Sequence, residues 1–131
     1  MGTIAKADKE SSSSKEKYSM FVGRWQPWHA GHRWLIDQRL NEGKKVLLCI
    51  REVEPDEQNP WTAQEIYNNL QVELKDLIIE EKIRIITIPD IESINYGRGV
   101  GYDIIEHVPP TNVSEISATK IRKQMRDDGK L

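Results

Sequence analysis

The chain has 131 residues, a length typical of one domain. Its 19 basic and 21 acidic side chains nearly cancel, which gives no support to non-specific binding of nucleic acid or of a membrane surface. One cysteine and three histidines exclude a disulfide framework and a zinc cluster, and no apolar run approaches the ~20 residues of a membrane span. These properties predict a soluble, cytoplasmic protein.

Residues 1–17 differ in composition from the rest of the chain. They contain a run of four serines between charged residues, and Met1 and Ile4 are their only large apolar side chains. Such a segment cannot bury enough apolar surface to offset its ordering entropy, and it lacks the apolar region of a signal peptide. We predict a disordered, solvated tail or linker at 1–17 and one domain at 18–131.

Apolar runs and helical periodicity alternate along the rest of the chain. Strands are predicted at 18–23, 44–51, 82–88 and, after the glycine-rich YGRGVGY, at 103–108; helices are predicted at 31–40, from Thr62 to about Ile78, and at 117–126. This alternation favours parallel strands joined by helical crossovers. The predicted fold is an α/β domain, an open Rossmann-like parallel sheet of about four to five strands with helices on both faces. Ligands bind such sheets at the carboxyl ends of the strands.

The segment GRWQPWHAGH, residues 23–32, lies between the first predicted strand and the first predicted helix. If the helix begins near His29, the spacing places His29 and His32 on one face, over its positive end. Backbone N–H groups, two imidazole donors and the guanidinium of Arg24 there suit an oligophosphate. The alternatives are ordinary surface histidines or ligands of an adventitious metal. Trp25 and Trp28 are expected to pack within the loop more readily than to stack on a base.

The segment ISATKIR, residues 116–122, begins the last predicted helix. Ser117 and Thr119 bring two hydroxyls to its positive end, and Lys120 and Arg122 bring two cations. This combination suits the phosphate tail of a nucleoside triphosphate. The alternative is that Ser117 is an ordinary N-cap.

These segments resemble two motifs of one superfamily. GRWQPWHAGH is similar to the G-R-F-Q-P-x-H-x-G-H form of the HxGH motif in the nucleotidylyltransferase superfamily, which includes the cytidylyltransferases. ISATKIR is similar to its I-S-S-T-x-I-R motif, with Ala118 in place of the second serine. NPWTAQE (59–65) resembles the N-P-F-T-x-x-E segment of archaeal-type nicotinamide mononucleotide adenylyltransferases, and IPDIES and RKQMRDDG resemble that branch too. With gaps, the likeness runs from about residue 18 to 129.

The chain departs from that branch in its C-terminal half. The branch has a further strand and a loop before the last helix, where this chain has only residues 108–115. Its length is nearer to that of small cytidylyltransferases, and YGRGVGY is similar to modules found beside adenylylsulfate kinase domains. The resemblance therefore leaves the nucleotide and the acceptor open.

The resemblance implies transfer of a nucleoside monophosphate group from ATP or CTP to a phosphorylated small-molecule acceptor, with release of pyrophosphate. Such transfers need positioning and charge neutralisation more than a covalent nucleophile. The implied catalytic residues are His29, His32 and Arg122. The implied nucleotide-binding residues are Gly23, Arg24, Trp25, Gly31, Ser117, Ala118, Thr119 and Lys120. Arg51 and Arg98 are candidates for the acceptor phosphate. No carboxylate cage for a metal is evident, so Mg²⁺ is expected to travel mainly on the triphosphate.

The sequence leaves two alternatives to this function and excludes two others. A glycerol-3-phosphate type cytidylyltransferase and a non-catalytic nucleotide-binding module are the alternatives. A class I aminoacyl-tRNA synthetase fragment should carry a KMSKS-like loop, and a P-loop kinase needs GxxxxGK[ST]; the sequence has neither. Small members of the superfamily often form dimers or larger assemblies, so a homo-oligomer is among the expectations, whereas nucleic acid and membrane partners are not.

Overall fold

The computed structural model describes residues 16–99 and 101–131. The predicted tail lies outside the described residues except for Glu16 and Lys17. In chain order the elements are β1 (Tyr18–Gly23), α1 (Ala30–Leu40), β2 (Lys45–Glu52), α2 (Ala63–Glu73), α3 (Lys75–Ile79), β3 (Ile83–Pro89), α4 (Thr111–Ser114) and α5 (Ala118–Asp127). Within these ranges, no helix has both the length and the apolarity needed to cross a bilayer.

The described strands form one parallel sheet in the order β1-β2-β3. The middle strand is apolar along most of its length, and its side chains at Val46, Leu48, Cys49 and Ile50 are fully buried. A continuous apolar run of this kind is expected of a central strand in a parallel sheet. The α/β fold class predicted from the sequence is confirmed, with three strands among the described residues rather than four or five.

The hydrophobic core lies on one face of this sheet. Val46, Leu48 and Ile50 of β2 form a single buried cluster with side chains of the first three helices, among them Ile36 of α1 and Leu70 of α2. Successive right-handed crossovers in the strand order β1-β2-β3 place their helices on the same face. These helices therefore cover the face that carries Val46, Leu48 and Ile50. On the opposite face Cys49 is fully buried and Met20 is 60% exposed.

The fourth predicted strand does not form in the described residues. Residues 103–108 are irregular, and Ile104 and Ile105 are 67% and 49% exposed. The apolar composition of the run predicted a strand, but its surroundings oppose one. Two glycines with positive φ, Gly99 and Gly101, precede it, and the prolines that follow cannot donate to a ladder.

The second predicted helix begins as expected and ends earlier. The Thr62 side chain accepts the Glu65 N–H at 3.1 Å, and the Glu65 carboxylate accepts the Thr62 N–H at 2.9 Å. This is the reciprocal capping box that the sequence predicted. At Leu74 the backbone leaves helical geometry, with φ of −114°, so the expected single helix is divided into α2 and α3.

Candidate functional site

A cavity of about 310 Å³ opens where β1 ends, between the start of α1 and the start of α5. It brings together residues from both motifs and from the loop before α2. Its lining is Gly23, Arg24, Trp25, Gln26, His32, Gln58, Asn59, Ala118, Thr119 and Arg122. The two segments singled out in the sequence therefore meet at one cavity.

The two histidines of the first motif cap helix α1 reciprocally. The Gly31 N–H donates to His29 Nδ1 at 3.0 Å, and the His29 N–H donates to His32 Nδ1 at 3.2 Å. The two imidazole rings stack with their centroids 3.6 Å apart and an interplanar angle of 19°. His32 lines the cavity, while His29 stacks on it without lining the wall. Orphan N–H groups at the helix start thus fix both rings in place.

These hydrogen bonds also determine where the imidazole protons are. A ring nitrogen that accepts a backbone N–H carries no proton, so the proton of each neutral ring lies on Nε2. Burial lowers the pKa of both histidines. For His32, burial and then the charge of His29 lower the pKa to about 3. At neutral pH the stacked pair therefore presents two neutral Nε2–H donors rather than two cations.

Two glycines of the motif are required by neighbouring rings. A Cβ on Gly31 would lie 2.9 Å from His29 Cε1, and a Cβ on Gly23 would lie 2.9 Å from the nearest ring carbon of Trp25. Real Cβ atoms essentially never approach so closely. Each glycine is therefore explained by an aromatic ring packed directly over its Cα.

Trp25 anchors the loop to the sheet. Its side chain is 5% exposed, and its indole N–H donates to the Cys49 carbonyl of β2 at 3.0 Å. Its ring meets His32 edge to face at 4.9 Å, and its backbone has a positive φ of 54°. Such a conformation persists in a non-glycine residue only when surrounding contacts enforce it. The buried indole therefore holds the position of His32.

The second motif reaches the cavity wall through Ala118, Thr119 and Arg122. The Ser117 hydroxyl accepts the Lys120 N–H at 3.3 Å and so caps α5, but neither side chain lines the cavity. Arg122 is 8% exposed and donates to the Gln26 carbonyl at 2.6 Å and to the Thr119 hydroxyl at 3.3 Å. The guanidinium therefore ties helix α5 to the loop of the first motif.

Two loops supply wall residues that were not among the predicted site residues: Gln26 follows β1, and Gln58 and Asn59 precede α2. Gln26, 4% exposed, forms two bonds with the backbone of Trp61, donating to its carbonyl at 2.8 Å and accepting its N–H at 3.1 Å. Asp56 turns the chain so that Gln58 and Asn59 face the cavity. Asp56, two residues before Gln58 and three before Asn59, is a turn signal in the sequence.

Other predicted site residues lie elsewhere. Arg51 forms an ion pair with Asp90 at 2.7 Å and donates to the Ile91 carbonyl at 3.2 Å. Arg98 is exposed in the glycine-rich stretch. Neither lines the cavity, and Gly31 and Lys120 do not line it either. Within the described residues, no group of three histidine, cysteine or carboxylate side chains could hold a metal ion.

A second cavity has acidic side chains in its wall, unlike the first. It has a volume of about 440 Å³ and lies where β2 and β3 end. Glu52, Glu54 and Asp90 are part of its lining, and carboxylates repel a phosphate group. Of these two cavities, the smaller one has the electrostatics suited to phosphate.

Comparison with known proteins finds partial relatives of one kind. The nicotinamide/nicotinic acid mononucleotide adenylyltransferase of Acinetobacter baylyi is 32% identical over 53 residues, covering 39% of this chain and 28% of that protein. Nicotinamide-nucleotide adenylyltransferases of Thermoplasma acidophilum and Caldivirga maquilingensis are 34% and 30% identical over 55 and 77 residues. Those stretches cover 40% and 56% of this chain.

The chain thus spans between 28% and 43% of the length of these curated relatives. No protein-family model matches it. The similarities support a relationship to nucleotidyltransferases that handle nucleotide-derived substrates, and they leave the reaction of this chain to be tested.

Proposed function

We propose that the chain transfers a nucleotidyl group from a nucleoside triphosphate to a phosphorylated small-molecule acceptor. The observation that carries the proposal is the convergence on one cavity of the neutral His32 donor, the cations Arg24 and Arg122, and the start of α5. These groups match a polyphosphate in charge and in hydrogen-bond type. The partial similarity to adenylyltransferases points in the same direction.

In the proposed reaction an acceptor phosphate oxygen attacks the α-phosphorus of the triphosphate. A new P–O bond forms, the α–β bridging bond breaks, and its electron pair leaves with pyrophosphate. The protein needs to align the reactants and to stabilise the charge that develops on the phosphates. We assign the α/β-phosphate region to the stacked pair: His32 contacts the phosphates directly, and His29, which stacks on it, holds that ring in place. We assign the β- and γ-phosphates to Arg122, Thr119 and the first turn of α5.

Arg122 would have two tasks in this arrangement. One Nη already donates to the Gln26 carbonyl, and a planar guanidinium keeps further donors for an anion. Arg24, exposed on the cavity wall, has its whole guanidinium available for the same ligand. Mg²⁺ would arrive on the triphosphate oxygens and neutralise charge there.

The reaction can be tested by a pyrophosphate-release screen. ATP, CTP, GTP and UTP would be crossed with nicotinamide mononucleotide, glycerol 3-phosphate and other phosphorylated acceptors. We expect release that requires both substrates, with a nicotinamide mononucleotide adenylyltransferase-like activity as the first pair to examine and CTP with glycerol 3-phosphate as the second. Nucleotide binding without release for any pair would favour a non-catalytic nucleotide-binding module.

A further inference from the structure

The turn from Asp56 to Asn59 forms one wall of the candidate site. The two residues exchange backbone hydrogen bonds, Asp56 N–H to the Asn59 carbonyl at 2.9 Å and Asn59 N–H to the Asp56 carbonyl at 3.2 Å. Asn59 is 5% exposed and lines the cavity. A buried polar side chain next to a cavity is therefore held on a closed turn.

The orientation of the Asn59 amide follows from its neighbour. Asp56 Oδ1 accepts the Gln58 N–H at 2.9 Å, the Asn59 N–H at 2.7 Å and the Asn59 Nδ2–H at 3.0 Å. The hydrogen bonds from the Asn59 backbone and side chain lower the pKa of Asp56, so that this carboxyl is ionised at neutral pH. A carboxylate only accepts hydrogen bonds, and a flipped amide would set two oxygens against each other.

The carbonyl oxygen of Asn59 is consequently left for the cavity. None of the hydrogen bonds formed by the described residues ends on Asn59 Oδ1, and it is not among atoms that are sealed from solvent. A carbonyl oxygen that solvent reaches pairs with water until a ligand donor replaces that water. A fixed acceptor in the wall of this cavity points to a donor on whatever the cavity binds.

The surrounding charges limit what that donor can be. The positive charge of Arg24 acts on Asp56 and on Arg122, and that of Arg126 acts on Arg122. Three guanidinium groups against one carboxylate disfavour a metal cation and favour an anion. The donor therefore belongs to a neutral group carried close to a phosphate. A hydroxyl on the carbon skeleton beside the phosphate meets this condition, whereas an amine of a nucleobase is much farther from any phosphate.

We propose that Asn59 Oδ1 accepts a hydrogen bond from a hydroxyl group adjacent to a phosphate of the bound ligand. Asn59 is then a specificity-determining residue that separates hydroxylated ligands from their deoxy analogues. This inference rests on the proposed function, because it takes the cavity as the phosphate site. The hydroxyl has two sources, the ribose of the nucleoside triphosphate and the sugar or polyol of the acceptor.

Direct binding, measured by isothermal titration calorimetry, distinguishes these sources. One arm compares ATP and CTP with their 2′-deoxy and 3′-deoxy forms, and the other compares glycerol 3-phosphate with 3-hydroxypropyl phosphate. We expect the deoxy ligand of one arm to bind the wild-type chain at least about five-fold more weakly, and Asn59→Ala to reduce this ratio below about two-fold. If the role of Asn59 is merely structural, Asn59→Ala will weaken binding of the hydroxylated ligand and of its deoxy analogue equally.

A matched control is the exposed Asn68 on α2, whose amide oxygen accepts from Gln64. Asn68→Ala should keep the wild-type ratio. If Asn59→Ala does not fold, Asp56→Asn provides the test, because it removes the charge that orients the amide and should lower the same ratio.

Two results of the calorimetric comparison would overturn the inference. One is that the wild-type chain binds the hydroxylated ligand and its deoxy analogue equally in every pair. The other is that the ratio of these two affinities stays at its wild-type value in folded Asn59→Ala or Asp56→Asn. Binding of Mg²⁺ alone that Asn59→Ala abolishes would also overturn it, in favour of a metal ligand. Because heat of binding does not depend on turnover, a chain that discriminates hydroxyls and releases no pyrophosphate contradicts only the proposed reaction.

Discussion

Helix α1 begins with a cap made from two histidines, whereas helix α5 begins with an ordinary serine cap. In α1 the capping rings are stacked 3.6 Å apart, and one of them lines the cavity. In α5 the Ser117 cap lies outside the cavity wall, and the residues that reach the wall, Ala118, Thr119 and Arg122, follow the cap in the first turns. Capping and ligand-facing groups coincide in the first helix and are separate in the second.

The difference has a chemical consequence. In α1 the same two hydrogen bonds define the start of the helix and the tautomer of each imidazole, so a change in the cap changes the donors presented to the ligand. In α5 the cap can be altered while Arg122 stays bound to the Gln26 carbonyl. Stability and ligand contact should therefore be inseparable at one helix start and separable at the other.

The largest expected effect is that of His32→Ala. Removing one donor aimed at developing charge commonly costs ~10²–10³ in turnover. We expect a loss of this size in pyrophosphate release with whichever substrate pair the screen identifies, in a chain whose circular dichroism matches wild type. His107→Ala is the matched control, because His107 contacts Phe21 at 6.2 Å between centroids, outside the cavity lining. Near-wild-type turnover in His32→Ala would exclude this assignment.

Gly31→Ala should have the next largest effect. The added Cβ would displace the His29 ring, with the loss of its hydrogen bond to the Gly31 N–H. Misplacement of a reacting group by about 1 Å can cost on the order of 10² in rate, and we expect a loss between about 10- and 100-fold in kcat. Gly97→Ala is the control, since open space surrounds its Cα. Equal turnover in the two variants would show that the His29 ring position is unimportant.

Ser117→Ala should affect stability more than activity. Loss of a serine N-cap costs about 1 kcal/mol in the free energy of unfolding, which urea denaturation can measure. We expect turnover to change by less than about five-fold, in contrast to the histidine variants. A large loss of turnover with unchanged stability would mean that Ser117 contacts the ligand directly and that the two helix starts work alike.

The smallest effect on turnover concerns pH. Because the pKa of His32 is lowered to about 3, this ring stays neutral as the pH falls through 6.5, so turnover should show no step there from its protonation. Stability should behave differently. In the unfolded chain the histidine has its ordinary pKa, so the unfolded state binds more protons below about 6.5. Stability present above this pH is lost as the pH falls towards 3, and His32→Ala should flatten this dependence in urea titrations.

The fold and the meeting of the two motifs were largely predictable from the sequence. Alternation of apolar runs with capped helices specified the parallel sheet, and the Thr62–Glu65 capping box formed as written. Both predictions depend on local patterns. The run at 103–108 was misleading because apolar composition alone says nothing about whether a neighbouring strand is available to pair with it.

Side-chain partners across the chain were beyond such patterns. Gln26 bonds Trp61, which is 35 positions away, and Arg122 bonds Gln26 across 96 positions. Arg51 was a candidate for the acceptor phosphate, and the structure pairs it with Asp90. The turn signal at Asp56 was visible in the sequence, but only the folded chain shows that Asn59 lines the same cavity as His32.

The connection between β3 and α5 is exposed, so a protease could cut the chain between the sheet and the last helix. Residues 92–99 are all exposed, and Arg98 within them offers trypsin a cleavage point in a glycine-rich segment. A cut there would yield one fragment with the sheet and the histidines and another with α5. Their contacts include Arg122 with the Gln26 carbonyl and Arg126 with the Glu57 carbonyl. A nucleotide bridging the two helix starts would then act as the link that holds a nicked protein together, and its presence could be detected as co-elution of the fragments.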